Sequence, residues 1–215
     1  GDDAIQFGLG EPDFQPPQLA IEAFNQAMRE GRNKYTTTAG HPELRAKIAT
    51  LWHHLLPDLD ESNVCMTMSG TNGLLDIFLA LVNPGDNVLI PEPYFPLYPP
   101  DVRICGGEPN LYPCRFENGF VPAVQDLEDR IDENTVAILY NFPSNPTGGN
   151  VNVEQRDELV AFAKENDLWI ITDEVYDRIV YDGPHVSFIG AGYDKVIMVQ
   201  SFSKTFAMTG WRIGY

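Results

Sequence analysis

Three short apolar runs in this 215-residue chain each end on side chains that can do chemistry. After the run 136–140 come Asn141 and then Asn145, within a turn-rich stretch that closes at Gly148. Asp173, Glu174 and Tyr176 follow the run 169–172, and Ser201, Ser203 and Lys204 follow Val196–Val199. If these runs are strands of one open α/β sheet, their ends border a common crevice, because ligands in such folds bind beyond the carboxyl ends of the strands. An amide, a carboxylate, a phenol, two hydroxyls and an amine would then meet in one place. Gly70-Thr71 opens an apolar helix, whose N-terminus offers N–H groups and a positive dipole end to an anion, with Gly70 allowing close backbone approach. Arg212, eight residues beyond Lys204, can add a bidentate clamp. A phosphate cradle, an amine for an aldehyde and a carboxylate for a ring nitrogen are together the needs of pyridoxal 5'-phosphate (PLP).

Those groups act together only if the chain delivers them to one edge. From residue 64 onward, short apolar runs alternate with amphipathic helices, the α/β signature. The run 64–68 leads into Ser69-Gly70-Thr71-Asn72-Gly73 and an apolar helix over 74–82. The runs 88–90, 135–140, 168–172 and 196–199 are expected strands, and Leu159, Val160 and Ala163 mark the inward face of another helix. Before this unit, Gly8, Gly10, Pro12, Asp13, Pro16 and Pro17 form an arm leading into a helix with Leu19, Phe24, Ala27 and Met28 at helical spacing. A second helix is expected from Pro42, with Leu44, Ile48, Leu51 and Leu55 on one face and Pro57 ending it.

Composition narrows the function classes. A formal charge of −17 and scattered lysines and arginines exclude nucleic acid as a partner. The apolar stretch 74–82 carries Asp76 and falls short of the roughly 20 residues of a membrane span, so no membrane association is expected. Cys65, Cys105 and Cys114 lack CxxC spacing, and His41, His53, His54 and His185 include no HExxH pair. No disulfide framework and no metal are expected, and a reducing, cytoplasmic compartment fits. The chain opens on Gly1 and closes on Tyr215 without a leader or a helix cap, which reads as a fragment.

The motifs Gly10-Glu11-Pro12-Asp13-Phe14, Lys34-Tyr35-Thr36-Thr37-Thr38-Ala39-Gly40, Asn145-Pro146-Thr147-Gly148, Asp173-Glu174-Val175-Tyr176, Ser201-Phe202-Ser203-Lys204 and Gly210-Trp211-Arg212-Ile213-Gly214-Tyr215 occur in that order. In them the chain, from about Phe7 to Tyr215, resembles the class I and II aminotransferases of PLP fold type I. The resemblance implies a three-layer α/β/α large domain with a mostly parallel sheet over 36–215, an arm and helix over 1–35, and an absent C-terminal small domain. It further implies that Lys204 holds the cofactor as a Schiff base and that Asp173 keeps the ring nitrogen protonated. Asn145 and Tyr176 would bond the ring's phenolic oxygen, and Gly70, Thr71, Ser201 and Arg212 would hold the phosphate, with Ser203 beside them. Phe95, ahead of Tyr94, would stack on the ring. Gly10 and Asn145 would border the substrate, and Tyr35 would reach the phosphate of the other subunit in a homodimer with shared sites. The implied reaction moves an amino group between an amino acid and a 2-oxo acid.

Taken one at a time, these residues have plainer readings. Lys204 alone reads as a surface residue near a helix start, Asp173-Glu174 as a solvated strand end, and Gly70-Thr71 as a simple cap. The conjunction favours a site. Within the same fold, a carbon–sulfur lyase or another PLP enzyme, or the effector domain of a transcription regulator, remains an alternative to the aminotransferase.

Overall fold

The computed structural model describes Ala4, Ile5 and residues 8–215. Phe7, where the family resemblance begins, lies outside the described residues. Among those described, five strands form one parallel sheet: β1 (Asn87–Glu92), β2 (Glu108–Pro113), β3 (Thr135–Asn141), β4 (Trp169–Asp173) and β5 (Val196–Val199), in the order β2-β1-β3-β4-β5. The chain order reverses between β1 and β3, which makes that end of the sheet a switch point where a crevice opens.

Alternate residues of each strand feed opposite cores, which is why parallel strands read as unbroken apolar runs. Val88, Ile90, Ala137, Leu139, Ile171 and Val199 face one side, where α3 (Gly70–Leu81) packs Leu74 and Phe78, and α4 (Tyr98–Ile104) packs Tyr98 and Val102. Leu89, Ile138, Tyr140 and Ile170 face the other, under Leu127 of α5 (Val124–Glu128) and Leu159, Phe162 and Ala163 of α6 (Val153–Glu165). This is the expected three-layer α/β/α arrangement. Outside the layers, α1 (Gln18–Arg29) has no buried residue, while α2 (Pro42–Trp52) puts Ile48, Ala49 and Trp52 into a third cluster with Val64 and Ile189. Among the described residues, no helix is long and apolar enough to cross a membrane.

Register positions the chemistry. Asn141 pairs with Asp173, and Asp173 pairs with Val199, so three strand ends stand level at one rim. A slip of one residue would turn Asp173 to the opposite face.

The structure departs from the sequence reading at several points. The second helix ends at Trp52, five residues before Pro57: Leu55 N–H bonds back to Trp52 O at 2.9 Å, a tighter turn that carries Leu55 and Leu59 against the third cluster. The run 64–68 forms no ladder, and only Thr67 bridges to Gly214. Strand β2 and helix α4 were not expected, since Pro109 and Pro113 break the strand pattern and Pro99 and Pro100 obscure the helix. Proline is tolerated at a sheet edge, where β2 lies, and in a helix's first turn, where α4 begins.

The last residues close on the N-terminus of α3. Thr67 N–H donates to Gly214 O at 2.8 Å and Gly214 N–H to Thr67 O at 3.0 Å. A Cβ on Gly214 would stand 2.5 Å from Gly70 N and Ser69 C and 2.9 Å from Gln200 O, all backbone atoms that cannot turn aside. We therefore expect Gly214→Ala to destabilise the fold by about 1–3 kcal/mol, the usual range for overpacking. Gly210→Ala, where a Cβ meets nothing within 4 Å, is the control and should change little. Equal denaturation midpoints for the two variants would contradict this packing.

Candidate functional site

Asp173 ends β4 and is 6% exposed. Its Oδ2 accepts a bond from the Tyr98 hydroxyl at 2.7 Å, and its Oδ1 accepts a longer one from Val175 N–H at 3.3 Å. None of the ion pairs among the described residues involves it. Burial pushes its carboxyl up to about 6, against the pull of the Tyr98 and Val175 bonds. A carboxylate in this state is best satisfied by a cation or a charged N–H donor.

Next to it, Asn141 at the end of β3 spans two strands: its Nδ2 donates to Asp173 O at 2.9 Å, and its Oδ1 accepts from Asn145 N–H at 2.7 Å. The loop carrying Asn145 is thus tied to the strand that carries Asp173. Burial, then the Asp173 charge, pushes the Tyr176 phenol up, while the Asn145 side chain opposes both.

The sharp turn after β5 places the amine. Ser201 caps the four-residue α7 (Phe202–Thr205) by accepting from Ser203 N–H at 3.1 Å, so Lys204 projects from the first turn. Its Nζ donates to Gly10 O and sits 5.8 Å from the centroid of the Tyr176 ring. Burial lowers the pKa of this amine, and the Glu11 charge opposes the shift. A lysine so placed gives up its proton more readily than a surface lysine.

The anion cradle lies across from it. Ser69, with φ at 109°, turns the chain into α3 and accepts from Asn72 N–H at 3.2 Å. The N–H groups of Gly70 and Thr71 fall in the helix's first turn, where no intrahelical acceptor exists. Arg212, with φ at 52°, is held by Nη1 donating to Thr209 O at 2.8 Å. Positive φ at two non-glycine residues around one site is stored strain of the kind found at ligand clamps.

These elements enclose a cleft of ≈ 750 Å³ that gathers every expected site residue except Tyr35. Tyr35 lies fully exposed between α1 and α2, outside the cleft. Phe95 and Tyr94 both line it.

Sequence reasoning missed Tyr98 and gave Asn141 no role. Tyr98 was hidden by the two prolines that follow it; Asn141 carried a signal, as a polar residue ending a fully buried strand. The solvated reading of Asp173-Glu174 is wrong. Glu174 is 0% exposed and turns away from Asp173, accepting from Thr172 Oγ1 and Phe188 N–H at 3.0 Å each and meeting His185 Nε2 at 2.6 Å.

Comparison with known proteins agrees with this geometry. The family model described as aminotransferase class I and II matches residues 2–215. The chain is 37% identical to an aspartate aminotransferase of Pyrococcus horikoshii over all of this chain and 55% of that one. It is 40% identical to a probable aspartate/prephenate aminotransferase of Aquifex aeolicus, over all of this chain and 56% of that one. Among solved structures, the aspartate aminotransferase of Thermus thermophilus with maleate superposes with a TM-score of 0.92 at 35% identity, covering 96% of this chain and 54% of that one. An aromatic aminotransferase of P. horikoshii gives a TM-score of 0.93 at 36% identity, over all of this chain and 58% of that one. The chain spans about half the length of the curated relatives it matches.

The state of Asp173 has a measurable consequence without any ligand. Because its pKa is raised in the folded protein to about 6, its contribution to stability is present at low pH and is lost as pH rises through that value. Asp173→Asn removes the charge, so the cofactor-free variant should gain on wild type from pH 4 upward and level off above pH 7, by about 3 kcal/mol. Urea denaturation of both proteins across this range is the check, and a stability difference independent of pH would contradict the assignment.

Proposed function

Because the chain belongs to the class I and II aminotransferase family, we propose that its protein is a PLP-dependent aminotransferase moving an amino group between an amino acid and a 2-oxo acid. One observation carries the reading: a buried carboxylate with no ion-pair partner among the described residues, Asp173, lines the same cleft as a half-buried amine, Lys204, and a helix N-terminus with a nearby arginine. The donor set matches the charges of the cofactor group by group. A cationic ring nitrogen would satisfy Asp173, a phosphate would satisfy the N-terminus of α3 and Arg212, and an aldehyde would find in Lys204 an amine whose pKa is lowered.

When bound, PLP supplies an electron sink for the pair left at the substrate's Cα and a carbonyl carbon to carry the amino group. The chain's own residues do the rest. Asp173 would accept the ring N–H and keep its proton in place. Asn145 and Tyr176 would bond the ring's phenolic oxygen, Phe95 would stack on the ring, and Gly70, Thr71, Ser201, Ser203 and Arg212 would hold the phosphate. Gly10 and Asn145 would border the substrate. Lys204 Nζ, as a free amine, would take the proton from the substrate's Cα and deliver it to the cofactor's former carbonyl carbon, a task suited to its lowered pKa. Residues 36–215 serve as the large domain and 1–35 as its arm and helix. The full exposure of Tyr35 supports a homodimer in which it completes the phosphate site of the other subunit.

Two experiments test these assignments. Borohydride reduction of the PLP-loaded full-length protein, followed by peptide mapping, should leave the pyridoxyl group on Lys204; a label on Lys195 or Lys164 would refute the reading. Mixing full-length Tyr35→Ala with Lys204→Ala under subunit exchange should restore cofactor binding and activity in heterodimers that carry one intact shared site. Mixtures no better than the separate variants would mean that Tyr35 acts within its own chain or in packing only.

A further inference from the structure

We propose that Tyr98 is a positioning residue for this site: its hydroxyl fixes Asp173 as the partner of the cofactor's ring nitrogen. The inference rests on the cofactor reading above and extends it to a residue outside the motifs that identified the family.

Three buried tyrosines allow an internal comparison. A phenol removed from water needs an acceptor, and a backbone carbonyl normally serves. Tyr112 donates to Leu139 O at 2.7 Å and Tyr140 to Leu159 O at 3.2 Å, both ordinary core bonds. Tyr98 instead donates to the side chain of Asp173 at 2.7 Å. Its ring cannot drift from that position. It is 1% exposed, packed among Leu74, Phe78 and Ile90, and held edge-on by Phe95 at 5.5 Å and 67°. Tyr98 N–H also bonds to Phe95 O at 3.1 Å, so the first turn of α4 links the ring-stacking aromatic to the carboxylate through one rigid piece.

For Asp173 the consequence is directional. Oδ2 holds the short bond from Tyr98, whereas Oδ1 holds only the 3.3 Å bond from Val175 N–H and keeps the greater capacity for a new donor. A carboxylate on two rotatable bonds is thereby limited to one presentation, which lowers the ordering cost when a ligand N–H arrives. The charge state follows too. Burial pushes Asp173 up and the Tyr98 bond pulls it down. The other charged and titratable groups around it are Glu174 on its own strand end, Tyr176 in the following loop, and Glu11, Tyr94, Lys204 and Arg212 elsewhere on the cleft wall. Loss of the phenol should therefore let Asp173 take up a proton at higher pH and lose its attraction for the cationic ring nitrogen.

The test titrates cofactor-free, full-length protein with PLP from pH 5 to 9, following absorbance and tryptophan fluorescence, with far-UV circular dichroism to establish folding. Wild type should bind, with affinity falling on the acid side. Tyr98→Phe should bind about ten-fold more weakly at pH 7, as befits a lost hydrogen bond to a charged group, and its acid limb should move to higher pH. Tyr112→Phe, which loses a core bond to a carbonyl, should keep the wild-type acid limb. A loss in Tyr98→Phe that is uniform across pH, or an acid limb shared with Tyr112→Phe, would overturn the proposal. Should Tyr98→Phe not fold, Tyr98→His retains an aromatic ring with an N–H donor; affinity at pH 8 within about three-fold of wild type supports positioning, and a loss of about ten-fold or more overturns it. If wild type itself fails to bind PLP, the cofactor reading falls and this inference falls with it.

Discussion

A buried carboxylate with no ion-pair partner among the described residues is the constraint around which this structure is arranged. Leaving water costs an ionised group several kcal/mol unless hydrogen bonds or an opposite charge compensate. Asp173 receives partial compensation from Tyr98 and Val175, and burial still raises its pKa to about 6. The fold keeps the residue there because its position is dictated by packing: Ile171 and Val199 anchor the strands on one face, Ile170 and Phe188 on the other, and the register fixes Asp173 level with Asn141. The remaining cost is recovered when a charged N–H donor arrives.

Under the proposed function, the rest of the cleft suits such a donor attached to an anion. Lys204, the α3 N-terminus and Arg212 stand on separate elements, yet the short segment from Phe202 to Tyr215 connects them. Gln200 and Tyr215 exchange backbone bonds of 2.8 and 3.0 Å, and Gly214 docks against Ser69 and Gly70 with no room for a side chain. The segment that positions the amine therefore also supports the N-terminus of α3, the proposed phosphate cradle. Behind the site, Glu174 with His185 forms a second buried acidic centre that anchors the loop after Tyr176, so adjacent carboxylates on one strand end serve opposite faces.

Much of this was legible in the sequence, for physical reasons that can be named. Strands β1, β3 and β4 lie between helical layers and must be apolar on both faces, so each stands out as a continuous run, and β5, half-buried at the sheet's end, still reads as one. The polar residues that follow β3, β4 and β5 line the cleft proposed as the site. What escaped was set by long-range context. Strand β2 survives two prolines because it is an edge, and α4 begins within prolines that looked like a loop; Tyr98 went unseen with it. The end of α2 at Trp52 reflects how Leu55 and Leu59 pack, which no local signal carries. Glu174 reads like any exposed acid until His185 and Phe188, eleven and fourteen residues later, are seen to enclose it.

The central claim is that Asp173 keeps a proton on the nitrogen of a bound pyridine ring. The most direct measurement is the 15N chemical shift of PLP labelled at that nitrogen, recorded in the loaded wild-type protein and in Asp173→Asn. A protonated nitrogen in wild type from pH 6 to 8 and a neutral one in the variant is the expected result. A neutral nitrogen in wild type, or the same shift in both proteins, would contradict the account.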